Sequence, residues 1–243
     1  LNREDPEAAA LVLEALRGEG VEIAEGAMAD SAAGGAGNIT VKTQDGRSFS
    51  GSHLLVALGR TPNAARLNLD AAGIAFSKTG ITVDASLRTS NNKVYAIGDV
   101  AGGLQFTHVA GYHAGVIIRS ALFGLPAKAG TAHIPRTTYT DPEIAQIGLT
   151  EAEARDAHGD AMEAVRFDYS HNDRAIAERE TAGFIKVMVR KSRPVGVTIA
   201  GHQAGEHINF WALALANRLK MGQIAATVSP YPTFGEEIGR AHV

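Results

Sequence analysis

The stretch Val94-Tyr95-Ala96-Ile97-Gly98-Asp99-Val100-Ala101-Gly102 decides how this chain is read. A short apolar run stops at Gly-Asp, and an apolar-periodic helix follows. That pattern predicts a buried strand whose carboxyl end opens onto a helix start. In open α/β sheets, ligands sit at the carboxyl ends of strands. Gly98 has no Cβ, so the backbone there can come close to a ligand. Asp99 would place a fixed acceptor at the mouth, suited to ribose-like or ribitol hydroxyls. Its other reading is a cap for a turn or for the next helix, and this stretch alone does not choose between them.

Working outward, the 243 residues suffice for one large domain or two ordinary ones. Hydrophobic residues make up 45% and charged residues 20%, the balance of a soluble globular protein. The net charge of −3 offers no positive field for nucleic acid. No apolar run approaches the ~18 residues of a membrane span. No targeting segment is visible, so a cytoplasmic location is expected, although the chain begins at Leu1 and a start could lie further upstream. The absence of cysteine excludes disulfides, Cys-ligated metal and any dithiol chemistry carried out by this chain alone. No metal site is expected: His133, His171, His202 and His207 are scattered, and the last two are not at the i, i+4 spacing of a helical metal pair. Glu206 and Glu237 read as solvated or capping residues.

Asp5-Pro6 predicts a helix entry, with Leu11, Val12, Ala15 and Leu16 as its apolar stripe. Val21 to Ile23 alternates like a strand, and Gly34 to Asn38 reads as a flexible turn. Ile39 to Thr43 and Arg47 to Ser50 form a hairpin around Asp45-Gly46. Leu54 to Leu58 is a continuous apolar run, expected to be a central strand buried on both faces, and Pro62 marks a boundary. Residues 64 to 93 read as a connector in which Ile81 to Asp84 forms a short strand. Ala110, Ala114, Ile117, Ile118 and Ala121 share one helical face. After about Ala129 the pattern becomes α+β. Strands are expected at Ile134–Thr138, Ile144–Gly148, Met162–Tyr169, Phe184–Val189 and Pro194–Ala200, forming an antiparallel sheet with helices on one side. Thr150 and Glu153 form a capping box, and Ile208, Trp211, Ala212, Leu215, Ala216 and Leu219 line one helix face.

Three separated segments then agree. Leu55 to Asn63 resembles the strand that ends the pyridine-nucleotide domain of flavoprotein disulfide reductases. Val94 to Gly102 resembles the second FAD signature of that family. Ser229-Pro230-Tyr231-Pro232-Thr233-Phe234-Gly235-Glu236 resembles the C-terminal motif of its dimerisation domain. Asn172 to Ala175 and Gly201 to Glu206 also look like that domain. Five segments in order identify the chain as similar to the pyridine nucleotide-disulfide oxidoreductases, nearest to dihydrolipoamide dehydrogenase and mercuric-reductase-like members. The resemblance covers only the later part of such a protein, because no G-x-G-x-x-G and no cysteine pair is present. It implies Rossmann-like α/β segments followed by an α+β dimerisation domain. Residues 1–62 would be the end of the NAD(P)-binding domain, 63–129 the returning part of the FAD-binding domain, and 130–243 the interface domain.

The resemblance also implies roles. Gly98 and Asp99 would meet the ribitol or ribose side of FAD. Gln105, Phe106, Thr107 and His108 would lie under the flavin pyrimidine edge, where a helix start favours negative charge; the plainer reading is an ordinary N-cap at Thr107. Gly59 would pass close to the nicotinamide nucleotide, or simply end a strand. The departure from the family is Tyr231, which stands where classical members place a His before Pro-Thr, with Glu236 at the Glu position. Tyrosine near pKa ~10 stays protonated at neutral pH where histidine near ~6.5 exchanges protons. Tyr231 would donate a hydrogen bond, with Glu236 holding its hydroxyl, or else pack at an interface. The expected function is part of an FAD- and NAD(P)H-dependent oxidoreductase, passing electrons through flavin to a disulfide or small-molecule acceptor, as a homodimer. The other reading is a non-catalytic dimerisation fragment that binds no cofactor.

Overall fold

A computed structural model describes residues 1–236, so Glu237 and the end of the expected interface domain lie outside the described residues. The chain divides into two compact units, Leu1–Leu16 with Pro62–Val243, and Arg17–Thr61.

Helix α1 (Pro6–Gly18) starts where Asp5-Pro6 predicts, and Asp5 Oδ1 accepts the Glu7 amide at 3.0 Å. The Arg17–Thr61 unit holds a three-stranded antiparallel meander of β1 (Ala29–Gly35), β2 (Asn38–Thr43) and β3 (Ser48–Gly51). Its turn chemistry is local. Asp45 accepts from the Thr43 hydroxyl and from Arg47, whose guanidinium holds the Asp45 carboxyl well below the usual carboxylate range. The turn expected over Gly34 to Asn38 is shorter than predicted: β1 runs through Gly35 to pair Gly34 with Ile39, leaving Ala36-Gly37 as the bend. Val21 to Ile23 forms no strand. Leu54 to Leu58 is not a buried central strand either. It is unpaired, and Leu55 and Leu58 are 88% and 89% exposed. A central parallel strand takes its hydrogen bonds from neighbours delivered by crossover units, and every ladder among the described residues is antiparallel.

In the larger unit, β4 (Phe76–Ser77) and β5 (Gly80–Ile81) make a minimal hairpin, shorter than the strand expected to reach Asp84. The Val94 to Ile97 run is not a strand; it makes a single bridge, Tyr95 to Arg88, and then enters a 3-10 turn over Gly98–Ala101. Ala64, Leu69, Ile74, Ile81 and Ala96 form the small core beneath it. Helix α2 (Thr107–Ile117) continues into a π-helical turn over Ile118–Leu122. Its buried face is Val109, His113 and Val116, one position away from the predicted stripe, and Ile118, Leu122 and Phe123 are exposed. The predicted stripe is half-buried at Ala110, Ala114 and Ile117, with Ala110 against the Gly98 turn, while the deepest burial falls one position away.

The C-terminal region is a five-stranded antiparallel sheet in the order β6 (Arg136–Thr138), β7 (Glu143–Gly148), β10 (Arg193–Gly201), β9 (Phe184–Arg190), β8 (Glu163–Asp168). Because strand side chains alternate, one face presents Ala145, Ile147, Ile185, Val187, Val197 and Ile199. Helix α5 (Ala204–Ala216) covers it with Ile208, Trp211 and Ala214. The other face is also buried, contrary to the one-sided packing expected. There α1 brings Ala8 and Val12 onto Ile144, Phe184 and Ala200, and α3 (Glu151–His158) brings Ala154 onto Met188. That face carries polar residues that pair on burial. The Thr198 hydroxyl donates to Gln146 Oε1, and Lys186 Nζ lies 2.9 Å from each of Asp5, Glu7 and Glu151. The Thr150–Glu153 capping box forms at α3 as predicted. Short helices α4 (Asp173–Glu178) and α6 (Met221–Ala225) complete the unit. No helix among the described residues is long and apolar enough to cross a membrane.

Candidate functional site

The first half of the site is the joint between the Gly98 turn and α2. Gly98 is buried at φ +66°, and a Cβ there would lie 3.0 Å from the Ala110 methyl. A side chain there is disfavoured twice, by the left-handed backbone conformation and by close contact with α2. The β4–β5 hairpin also packs closely on the turn: a Cβ on Gly80 would meet the Val100 carbonyl oxygen at 2.6 Å. Asp99, the next residue, is exposed. Its backbone carbonyl accepts the Gly102 amide, and its carboxylate caps neither the turn nor α2. Of the two sequence readings of Asp99, the capping one is not what the structure shows.

Helix α2 opens at Phe106 in extended conformation, with no side chain capping it. Thr107 is the first helical residue rather than its cap. The Phe106 carbonyl accepts Val109 and Ala110, so the exposed Thr107 and His108 amides have no acceptor among the described residues. Such amides, at the positive end of the helix dipole, favour an anion. The Phe106 and His108 rings stack at 5.3 Å, and His108 Nε2 lies 2.9 Å from the Pro135 carbonyl oxygen. The His108 ring thus holds the loop ahead of β6 while its backbone faces outward. Gln105 is half-buried just before the helix. Gly59 belongs to the other unit; it is exposed at φ +129° with open space where a Cβ would be.

The second half is the C-terminal motif. Tyr231 is 69% exposed, and its hydroxyl donates to Asp173 Oδ2 at 2.9 Å. The acceptor expected from sequence was Glu236. That residue is buried in the 3-10 turn Phe234–Glu236, and α4 supplies the carboxylate for Tyr231 instead. Asn172 joins the same two segments: its Oδ1 caps α4 through the Ala175 amide at 2.8 Å and its Nδ2 donates to the Thr233 carbonyl at 3.2 Å. The segments 172–175 and 229–236, noticed separately in the sequence, are therefore one structural feature.

Two histidines that are separate in the sequence, His202 and His207, also converge here. The His202 and His207 rings lie 5.2 and 5.7 Å from the Phe234 ring, and His207 Nδ1 lies 3.3 Å from the Tyr169 hydroxyl. Burial, and secondarily the nearness of His202, lowers the His207 pKa, while Glu143 opposes the fall. A third histidine was missed altogether. His113 is buried on α2, and its Nδ1 accepts the Gly98 amide at 3.1 Å. Its spacing from Val109 and Val116 is the one signal that could have found it. Among the described residues no group of His, Asp or Glu side chains could hold a metal ion.

Comparison with known proteins follows the same division. Residues 1–114 match the family model "pyridine nucleotide-disulphide oxidoreductase", and residues 134–242 match that of its dimerisation domain. The chain is 36% identical over 239 residues to a mercuric reductase of Acidithiobacillus ferrooxidans, covering 96% of this chain and 43% of that protein. It is 34% identical to a dihydrolipoyl dehydrogenase of Geobacillus stearothermophilus, covering 94% and 49% respectively. Among solved structures it superposes on LpdA from Mycobacterium tuberculosis with TM-score 0.90 and 29% identity, over 98% of this chain and 52% of that one. It also superposes on the HOCl-induced flavoprotein disulfide reductase RclA from Escherichia coli, with TM-score 0.86 and 27% identity over 99% and 56%. The chain thus spans about half the length of the relatives it matches.

Proposed function

Since this chain belongs to the pyridine nucleotide-disulphide oxidoreductase family, we propose that it is the later half of an FAD-dependent oxidoreductase that passes electrons from NAD(P)H to a disulfide or other small acceptor. The observation that carries the reading is the pairing of a free Asp99 carboxylate with the uncapped start of α2. The residues present fit FAD. Gly98 is held in a left-handed conformation close against α2, Asp99 offers acceptors to sugar-like hydroxyls, and the Thr107 and His108 amides offer donors to negative charge. When bound, the flavin supplies the two-electron chemistry. This chain's own part is to grip, orient and polarise: Asp99 fixes the hydroxylated tail, and the α2 terminus favours the anionic form of the ring system. Gly59 would lie along the nicotinamide nucleotide.

The Tyr231 hydroxyl donates its one proton to Asp173, so what it offers a bound molecule is the lone pairs of its oxygen, which accept a hydrogen bond. Glu236 anchors the motif from inside. The exposed apolar residues Tyr139, Leu213, Val228 and Tyr231 fall in the segment matched by the dimerisation model, which supports a homodimer.

The test is direct. The purified chain is mixed with FAD and passed through gel filtration. Flavin absorbance co-eluting with a dimer supports the proposal. A colourless dimer that takes up no added FAD supports the alternative, a dimerisation fragment without cofactor, and a monomer at micromolar concentration contradicts both.

A further inference from the structure

His113 is buried on α2, against the turn that carries Asp99. Its ring is buried, and Nδ1 accepts the buried Gly98 amide at 3.1 Å. A backbone amide can only donate, so Nδ1 must carry its lone pair and the ring proton must sit on Nε2. A second contact supports the same joint: the Ala110 methyl, one turn earlier on α2, fills the space beside Gly98. The Gly98 turn is therefore fixed to α2 by one hydrogen bond and one steric fit, and Asp99 projects from that turn.

We propose that His113 is the positioning residue that holds the Gly98–Asp99 turn in its ligand-binding shape, and that protonation of its ring releases the turn. The proposal rests on the reading that this turn grips FAD. A protonated imidazole donates from both nitrogens, so Nδ1–H would point at the Gly98 N–H, donor against donor. The buried amide would lose its acceptor, and the turn must then move to find another. The titratable groups nearest in the packing are Tyr112 on its own helix, with ring centroids 5.9 Å apart, and His133 against Tyr112, while Asp99 follows Gly98 on the turn. None of them hydrogen-bonds the His113 ring, and burial alone pulls its pKa down. The ring is consequently neutral at pH 7, the turn is intact there, and release comes on acidification below the ~6.5 of a free histidine.

The experiment uses the full chain and two variants. His113→Asn keeps an acceptor near the position of Nδ1 and does not titrate; His113→Phe keeps an aromatic ring and removes the acceptor. Nitrogen-15 NMR follows the His113 ring and the hydrogen-exchange protection of the Gly98 amide as pH falls from about 8 to 5. In parallel, FAD affinity is measured across the same range. The expected result is that Gly98 protection falls together with His113 protonation. H113F should weaken FAD binding about tenfold at neutral pH. H113N should restore most of the affinity and lose the acid-side decline of the parent. If Gly98 protection ignores the state of His113, or H113F matches the parent in protection and pH profile, the proposal is overturned. Should the chain take up no FAD at any pH, the functional reading fails while the NMR arm still decides whether His113 holds the turn.

Discussion

The two antiparallel sheets of this chain make opposite use of the same ladder. In the β6-β7-β10-β9-β8 sheet both faces are covered, and Ile185, Val187, Val197, Ile199 and Trp211 are fully buried. In the β1-β2-β3 meander almost every residue is exposed or half-exposed, and Thr43 alone among the meander's strand residues is buried. The first sheet is held by burial, at roughly 25 cal/mol per Å² of apolar surface. The second is held by local devices: hairpin turns, ladder hydrogen bonds and the Asp45–Arg47 pair, which is surface-exposed and worth little. Strand content therefore says little about how strongly a region is fixed.

The contrast can be attacked where it is steepest. Trp211→Ala should destabilise the chain by about 3–5 kcal/mol, since removing a fully buried indole from the main hydrophobic core leaves a cavity. Urea unfolding reads this; a loss below about 1 kcal/mol would mean the five-stranded core is not the stability centre. Next comes Lys186→Met, expected to cost about 3 kcal/mol, because it strands the almost wholly buried Asp5 carboxylate without its cation.

That cluster also sets an acid sensitivity. Lys186, then Arg155, hold the Glu151 carboxyl below its ordinary range. A carboxylate with a depressed folded pKa adds stability that is complete above its unfolded pKa of ~4.3 and is lost as pH falls through the folded value. The urea midpoint of the parent should therefore drop below about pH 4.5, and the drop should be shallower in Lys186→Met.

Gly98→Ala comes third, at about 1–3 kcal/mol, from a left-handed backbone and the Ala110 methyl together. The smallest effect belongs to the other side of the comparison. Leu55→Ser should change stability by no more than about 0.5 kcal/mol while improving solubility, since the side chain is already in water. A large loss there would show that Leu54 to Leu58 is covered in solution and would erase the contrast.

The sequence was most legible where local and global signals coincide. The Thr150–Glu153 box, the Asp5-Pro6 entry and the alternation of β7, β9 and β10 all reappear, because each is set by neighbours within a few residues or by a face that is actually buried. It misled where an apolar run needs distant partners. Leu54 to Leu58 and Val94 to Ile97 both read as strands; the first is unpaired among the described residues, and the second has only the single bridge from Tyr95 to Arg88. At the site, Gly98, Asp99 and the α2 start were visible as a motif. The Tyr231–Asp173 and His113–Gly98 bonds were not, because they join residues 58 and 15 positions apart and leave no periodic trace. The buried face of α2 was legible only to within one position, because both His113 and Ala110 meet the Gly98 turn, and that contact lies outside the helix's own periodicity.

One measurement bears most directly on the claim that the Gly98 turn and the start of α2 form a flavin grip: FAD affinity of the chain, by flavin fluorescence, in the parent, in Asp99→Ala and in Asp70→Ala as a control on an exposed carboxylate in the same unit. Asp99→Ala is expected to weaken binding about tenfold, the equivalent of one charge-assisted hydrogen bond, while Asp70→Ala binds like the parent. Equal affinities in all three proteins would contradict that claim.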